Sequence, residues 1–401
     1  MTLTMRNTLL VAFVAMLYIL EGSTTFWIFS GSWDSALKMV CFALIGAIMS
    51  LGVNLQWGFA GLFNIGIMGF VALGGLATVL VSMPTTPGAW SEGGWQILIS
   101  LILGAVTIVG AIFTYRWLPK GRMRNVLMVV LLILGFMAFR AVFDGGVAGV
   151  EAINPAATGY LGGLNWGGVN YKDLGWLTVV AWPVGGLLAA GAAWVIGKTA
   201  LGLRSDYLAI ATLGIAEIII AVMKNEDWLG RGVKNVVGLP RPVPYEADLQ
   251  VDPSFIERAA SLGLDPVTAS TLYTKVGYVV LFTIVLLILL WLAERALKSP
   301  WGRMMRAIRD NEVAAEAMGK NVTARHLQIF ILGSAICGIA GAMMTTLDGQ
   351  LTPGTYQPLR FTFLIWVMVI VGGSGNNFGS VLGGFLIWWL WVMVAPLGHW
   401  I

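Results

Sequence analysis

Long apolar segments separated by short polar connections make up most of this chain. A helix that crosses the hydrocarbon core of a bilayer needs about 20 mostly apolar residues, and eleven segments approach that length. These segments are 8–29, 37–54, 58–82, 96–117, 124–143, 174–197, 207–223, 276–293, 327–347, 361–375 and 378–397. The pattern predicts an all-α, polytopic integral membrane protein with about 10–11 transmembrane helices. We expect these helices to form a single transmembrane domain over residues 1–401.

The amino-acid composition supports this fold class. Of the 401 residues, 58% are hydrophobic and 11% are charged, and the mean hydropathy is +0.82. A soluble domain carries about 25% charged residues, so this chain has too little charge to coat a water-facing surface. The net charge of +4 arises from basic residues spread among the loops, which argues against a nucleic-acid partner.

Cysteine and histidine usage predicts neither a metal site nor a disulfide. Cys41 and Cys337 both lie in apolar segments, where each is expected to pack as a small hydrophobic side chain. The two histidines, His326 and His399, are far apart in the sequence. No combination of these residues has the spacing of a metal-binding motif.

The distribution of basic residues predicts how the chain is oriented in the membrane. Cytoplasmic connections carry an excess of Lys and Arg, and a cytoplasmic N-terminus places fourteen of the 24 basic residues inside. These are Arg6, Arg116, Lys120, Arg122, Arg124, Lys198, Arg204, Arg295, Lys298, Arg303, Arg306, Arg309, Lys320 and Arg325. We therefore expect a multi-pass protein of a bacterial inner (cytoplasmic) membrane, with its N-terminus cytoplasmic. We interpret the first apolar segment as a retained anchor rather than a cleaved signal peptide.

The same orientation makes 224–275 a long extracytoplasmic loop. Its prolines and aspartates, including Pro240, Pro242, Asp248 and Asp252, are typical of a solvated surface element. Such a surface could meet a delivery protein or act as a passive connector, and the sequence does not choose between these roles.

The loop 295–326 carries the most informative local signal. Ser299 is suited to an N-cap and Pro300 to the first helical position, and Gly319 is suited to the position just past a helix C-terminus. We expect a helix between Pro300 and Gly319 in which small alanines let another protein surface approach closely. An amphipathic helix lying on the membrane is the alternative interpretation.

The residue order in this loop resembles the EAA loop of ABC-importer membrane subunits. In the branched-chain amino acid permease family (LivM-type), the region is similar to S-x-x-GRxxRAIRxxExAAExxG, and residues 299–319 read SPWGRMMRAIRDNEVAAEAMG. Segments 54–62 (NLQWGFAGL), 203–210 (LRSDYLAI) and 372–384 (GGSGNNFGSVLGG) resemble further family motifs in the same order. The region 96–172 looks like an addition that contains two extra helices.

The resemblance implies the membrane-spanning permease subunit of an ATP-binding-cassette importer for branched-chain or related amino acids, with urea or short amides as alternative substrates. It implies a chain that is not an enzyme and binds no cofactor, with ATP and Mg on partner subunits. The implied partners are a second permease subunit, two cytoplasmic ATPase subunits, an extracytoplasmic solute-binding protein and the lipid bilayer. The implied ATPase-docking residues are Gly302, Arg303, Arg306, Arg309, Glu312, Ala314, Ala315, Glu316 and Gly319.

Glu217 is a carboxylate in the middle of an otherwise apolar segment. A charge at the bilayer centre costs about 2.5–3.5 kcal/mol on insertion scales, so Glu217 is expected to face water or a partner. It either lines the path, or binds the ammonium group of a substrate, or forms a buried hydrogen bond that fixes helix packing.

Clusters of Gly and Asn are expected to interrupt helices beside a cavity. The candidate path residues are Asn54, Gly58, Gly61, Asn64, Asp206, Tyr207, Thr212, Glu217, Gly372 and Gly373.

Two rival functions receive little support from the sequence. Gly197, Lys198 and Thr199 resemble the end of a phosphate-binding loop, but position 192 is Ala and the segment is a membrane helix rather than a strand–loop–helix unit. An ion-coupled secondary transporter would carry several charges deep in its helices and internal repeats. Here we find one deep acid and no clear repeat.

Overall fold

A computed structural model describes residues 3–25, 29–153, 160–163, 175–203 and 205–398. Within these residues the chain forms sixteen α-helices and one short antiparallel pairing of two strands. The helices are α1 (Leu3–Ser23), α2 (Trp33–Val53), α3 (Ile67–Ser82), α4 (Trp95–Trp117), α5 (Arg122–Ala152), α6 (Gly175–Ala200), α7 (Ser205–Asn225), α8 (Asp227–Gly230), α9 (Glu246–Val251), α10 (Pro253–Ser261), α11 (Pro266–Lys298), α12 (Pro300–Asp310), α13 (Glu312–Ala317), α14 (Val322–Asp348), α15 (Pro358–Gly372) and α16 (Asn377–Gly398). The strands are β1 (Val236–Val237) and β2 (Gln350–Leu351).

The eleven predicted apolar segments all contain an α-helix. Eight helices of the described chain are long and apolar enough to cross a membrane, and three apolar helices, within α1, α3 and α15, are shorter. The prediction of an all-α, polytopic membrane protein is therefore confirmed.

Three helix boundaries differ clearly from the sequence prediction, two of them for identifiable local reasons. The segment predicted over 58–82 becomes helical only at Ile67, because the chain is irregular between Gly61 and Gly66 and Gly61 has a φ of +71°. Helix α11 begins at Pro266, inside the predicted loop 224–275, because the Asp265 carboxylate accepts hydrogen bonds from two amides of its first turn. Helix α5 continues to Ala152 instead of ending near 143.

The core of the bundle packs backbone against backbone. Helix α14 lies between α3, α6 and α2, and glycines form the closest contacts. A Cβ atom at Gly341 would meet the Val71 carbonyl oxygen at 1.9 Å, and one at Gly74 would meet the Gly338 carbonyl oxygen at the same distance. Small residues therefore allow these helices to approach closely, as in other membrane helix pairs.

Helices α4 and α5 form a hairpin that packs chiefly on itself. Most of its apolar side chains are exposed, and in the central part of α5 none is buried. The hairpin joins the body at one end, where Ile97 and Val150 pack with Trp228. This hairpin accounts for the two extra helices expected in region 96–172.

The loop 295–326 contains two helices instead of the single helix predicted between Pro300 and Gly319. The break occurs at Asn311, which is extended (φ −158°, ψ 99°) and whose side-chain oxygen accepts a hydrogen bond from the Ala314 amide. Asn311 therefore caps a new helix, α13. Ser299 lies at the N-cap position of α12 but donates its hydroxyl back to the Ala296 carbonyl. Gly319 ends the unit with a φ of +75°, in agreement with the prediction.

Candidate translocation and docking site

Two interrupted helices meet at the end of the bundle that carries α12 and α13. Helix α2 ends in a π-helical turn (Asn54–Gly58), and α15 is separated from α16 by the turn 373–376, where Gly373 and Gly375 have positive φ. A Cβ atom at Gly58 would lie 2.5 Å from the Gly375 nitrogen and 2.2 Å from Asn54 Oδ1. Only glycine at position 58 lets the two interruptions come together without displacing backbone.

Buried amide side chains join the two interruptions. Asn54 Nδ2 donates to Asn377 Oδ1 at 2.8 Å, and the Gly375 amide donates to Asn54 Oδ1 at 2.8 Å. Asn377 Nδ2 in turn donates to Glu294 Oε1 at 3.0 Å, so the network reaches α11. Both asparagines are almost fully buried. Asn54 therefore satisfies a backbone amide of the irregular turn between α15 and α16, and its bond to Asn377 joins the two interruptions.

A second set of bonds ties the irregular segment after α2 to its neighbours. Gln56 Nε2 donates to the Phe330 carbonyl at 2.9 Å and to Ser334 Oγ at 3.0 Å, and Asn64 Nδ2 donates to Gln56 Oε1 at 2.9 Å. The Asn64 carbonyl accepts from Trp366 Nε1 at 3.2 Å.

The same segment is tied to α7. The Ile65 amide donates to Thr212 Oγ1 at 3.2 Å. The segment between α2 and α3 is thus hydrogen-bonded to α14, α15 and α7.

Arg309 connects the surface helix α12 to this network. Its Nη1 donates to the Gly58 carbonyl at 2.6 Å, and its Nη2 pairs with Asp310 at 3.0 Å. Position 375 also lies beside this guanidinium, since a Cβ atom there would be 3.2 Å from Arg309 Nη1. Arg309 therefore faces the helix interruptions, although the resemblance placed it among the docking residues.

The other residues implied in docking divide into two groups. Gly302 is buried against Leu297 at the corner between α11 and α12, and Arg306 donates Nη2 to the Leu297 carbonyl at 3.3 Å. These two residues, like Arg309, contact their own subunit. Arg303, Glu312, Ala314, Glu316 and Gly319 are exposed, as are Arg306 and Arg309 despite these contacts, and Ala315 is half-buried. Arg303 also donates Nη1 to the Lys298 carbonyl at 3.4 Å.

Helix α13 presents apolar side chains that nothing in the described chain covers. Val313 is 76% exposed and Met318, just after the helix, is 80% exposed. No residue of α13 is buried. Exposed apolar groups clustered within a charged segment indicate an interaction surface. We call Val313, Ala314, Ala317 and Met318 the α13 patch.

The remaining candidate path residues lie on the outer face of α7 or at the α15–α16 turn. Asp206, Tyr207 and Glu217 are exposed on α7, and Glu217 has no hydrogen-bond or ion-pair partner within the described chain. Within the described part of this chain, Glu217 therefore forms no buried hydrogen bond that would fix helix packing. Gly372 packs against the Gly379 carbonyl, and Gly373 forms the turn with a φ of +95°.

The structure thus unites some predicted path residues and separates others. Asn54, Gly58, Asn64 and Thr212 belong to the hydrogen-bonded region around the interruptions, with Gly61 close to the Arg309 side chain. Gln56 and Asn377, which the predicted set omitted, complete the network. Their signal in the sequence is the clustering of amides next to glycine.

A polytopic bundle with interrupted helices and an exposed surface helix pair is typical of the class of membrane transport proteins. The family model described as "Branched-chain amino acid transport system / permease component" matches residues 156–399. Because this match covers more than half of the chain, the chain belongs to that family of transport subunits. The α4–α5 hairpin precedes the matched residues.

Several permeases of known assignment are similar to this chain. The high-affinity branched-chain amino acid transport system permease protein LivM of Escherichia coli K12 is 27% identical over 73% of this chain, which spans 64% of that relative's length. A probable LivM of Methanocaldococcus jannaschii is 35% identical over 27% of the chain and 30% of its own length. The xylose transport system permease protein XylH of E. coli K12 is 22% identical over 73% of the chain and 63% of its own length. No solved structure matches the chain.

Proposed function

We propose that this chain is the permease subunit of a bacterial ATP-binding-cassette importer for branched-chain or related amino acids. In this proposal a second permease subunit, two cytoplasmic ATPases and an extracytoplasmic solute-binding protein complete the transporter, and ATP and Mg bind to the ATPases. The observation that carries the proposal is the hydrogen bond from Arg309 to the Gly58 carbonyl. It links an exposed surface helix pair directly to the interrupted membrane helices.

The proposed mechanism follows from this link. An ATPase would cover the α13 patch on the cytoplasmic side, where the N-terminus also lies, and its closure on ATP would move α12. Because Arg309 holds the Gly58 carbonyl, movement of α12 would shift the end of α2. The amide network would then transmit that shift to α14, α15 and α16, and access would switch from outside to inside.

We further propose that the outer face of α7 lines the path with the second permease subunit. Asp206, Tyr207 and Glu217 are exposed on this face. Helix α7 rests on the body through one side, where Ala216 packs against Gly69. A carboxylate in the middle of the membrane is tolerated when it faces water or a partner, and a path between two subunits provides both.

Exchanging Val313 and Met318 for aspartate is expected to abolish co-purification of the ATPases and to reduce leucine uptake more than tenfold. Both side chains are exposed, so the charges would be harmful only against a covering partner. Affinity purification from native membranes and uptake of radiolabelled leucine measure the two effects. The matched control is Val251→Asp with Leu262→Asp, since both residues are 74% exposed in segment 224–275; this control should retain the ATPases. Full ATPase binding by the V313D/M318D protein would contradict the docking role.

A cysteine at Glu217 is expected to react with a water-soluble maleimide in assembled transporter. The native Cys41 and Cys337 are buried, so the new thiol would give the signal. The matched control is Val109→Cys, because Val109 is 64% exposed on α4 of the hairpin and is expected to face lipid. Equal labelling of the two positions would argue that α7 does not line an aqueous path.

A sugar importer is the second candidate function. A fructose import permease, FrcC of Rhizobium meliloti, is 28% identical over 27% of the chain and 31% of its own length, and XylH covers as much of the chain as LivM does. Competition of unlabelled leucine, fructose and xylose for uptake by the native transporter distinguishes the candidates.

The energy source is tested separately. Uptake should fail on ATP depletion and survive a protonophore; the reverse result would favour an ion-coupled transporter and overturn the proposal.

A further inference from the structure

A cavity of about 280 Å³ lies inside the subunit, between α2, α3, α14, α15 and α16. Four methionines, Met49, Met68, Met344 and Met368, contribute to its walls, and the remaining lining is almost entirely aliphatic or aromatic. Small-molecule sites have volumes of roughly 300–1,000 Å³. The cavity therefore suits a ligand of amino-acid size and is small for a nucleotide.

The carboxylate and the hydroxyl of the lining lie at one end of the cavity, and a third polar group of the lining residues, the buried Trp388 Nε1, has no hydrogen-bond partner among the described residues. Asp348 and Thr355 line this end, and both residues are exposed. Helix α14 runs from Val322, next to α13, to Asp348, a length of about 40 Å at 1.5 Å per residue. The polar end therefore opens on the side of the bundle opposite the α13 patch, which is the extracytoplasmic side in the proposed orientation.

A cation lies near this opening. Lys38 is one helical turn before Phe42, which lines the cavity, so the two side chains share one face of α2. Lys38 is exposed near the start of α2 and Asp348 is exposed at the end of α14, and because the end of α2 bonds to the first part of α14 through Gln56, both residues lie at the same end of the bundle. No ion pair of the described residues joins the two groups directly. An exposed ammonium group and an exposed carboxylate therefore lie at the end of the bundle where the apolar cavity opens.

This arrangement matches a zwitterion with an apolar side chain. An α-ammonium group would lie against Asp348 and an α-carboxylate against Lys38, and the side chain would enter the methionine-lined interior. Methionine side chains are flexible and polarizable, so they can adapt to branched chains of different shape. A sugar needs several hydrogen-bond partners around its ring, whereas the lining residues carry one carboxylate, one hydroxyl and one indole N–H, that of Trp388.

We propose that this cavity is a binding site, contained within this one subunit, for a zwitterionic amino acid with a branched apolar side chain. The inference rests on the proposed importer function and names its substrate class. It adds a site separate from the outer face of α7, which we assign to the path between subunits. The site needs neither the solute-binding protein nor ATP to be occupied.

The test is equilibrium binding of radiolabelled L-leucine to the purified transporter in lipid nanodiscs, without ATP or solute-binding protein. We expect saturable binding that Asp348→Asn weakens at least tenfold and that Met344→Trp, which fills the cavity, abolishes. Asp248→Asn, a change of the same chemistry in segment 224–275, should leave binding unchanged. Thermal melting checks that each variant is folded, and Asp348→Asn keeps the test decisive if the tryptophan variant does not fold.

The outcomes separate this inference from the proposed function. Leucine uptake without leucine binding to the transporter would overturn the site and leave the importer function intact. Binding that D348N does not weaken would also overturn the site. Displacement of leucine by a lysolipid but not by valine or isoleucine would assign the cavity to an acyl chain and overturn it as well. Uptake of xylose or fructose without leucine uptake would instead contradict the proposed importer function.

Discussion

Replacing Gly58 with alanine is expected to reduce leucine uptake at least tenfold and to lower the thermal unfolding midpoint. The new Cβ atom would lie 2.5 Å from the Gly375 backbone nitrogen and 2.2 Å from Asn54 Oδ1. Overpacking costs about 1–3 kcal/mol, and a buried amide that loses its partner adds about 1–3 kcal/mol. The two interrupted helices would therefore be pushed apart where the proposed mechanism needs contact. Uptake of radiolabelled leucine and a melting curve of the purified transporter measure both effects.

The control for this substitution is Gly191→Ala. Gly191 lies in α6, and a Cβ atom there meets nothing within 4 Å, so the change should leave uptake and melting unaltered. Alanine is also a better helix former than glycine, so a lower unfolding midpoint for the Gly191→Ala protein is still less expected. Normal uptake by the Gly58→Ala protein would show that the contact between Gly58 and Gly375 is dispensable.

The helices themselves were predictable from the sequence because their main cause is local. In a bilayer each helix satisfies its own backbone hydrogen bonds, and a run of apolar residues is sufficient for the prediction. Segment 276–293 shows the limit of this reasoning. Helix α11 begins at Pro266, well before this apolar segment, because the side chain of Asp265 caps the helix there. The residues between Pro266 and the apolar segment are too polar for hydrophobicity to predict the helix start.

The candidate site was predictable only in part because its bonds are long-range. Asn54 and Asn377 are separated by 323 positions, and no local pattern pairs them. The direction of Glu217 depends on which side of α7 rests against Gly69, which periodicity alone did not decide. The break at Asn311 could have been predicted from the sequence, because asparagine is a favoured N-cap residue. The alanines that follow it favoured the prediction of one continuous helix instead.

Replacing Arg309 with alanine is expected to reduce uptake by about tenfold to a hundredfold while the ATPases remain bound. Arg309 donates to the Gly58 carbonyl at 2.6 Å, and hydrogen bonds to charged groups contribute about 1.5–3 kcal/mol. Couplings between distant sites are of similar size, typically 1–3 kcal/mol. Loss of this one bond can therefore remove most of the coupling between α12 and the interrupted helices. Because the α13 patch stays intact, docking should survive.

This pairing of results distinguishes transmission from docking. The V313D/M318D protein should lose both ATPase binding and uptake, whereas Arg309→Ala should lose uptake alone. Arg325→Ala is the matched control, because Arg325 lies at the same end of the bundle and, among the described residues, its guanidinium bonds only to Gln328 of its own helix. If Arg309→Ala released the ATPases, Arg309 would belong to the docking surface after all. If it left uptake unchanged, the coupling would have to pass through other contacts of α12 with the bundle, such as the buried Met305 and Ile308 or the hydrogen bond from Trp301 Nε1 to Gln328 of α14.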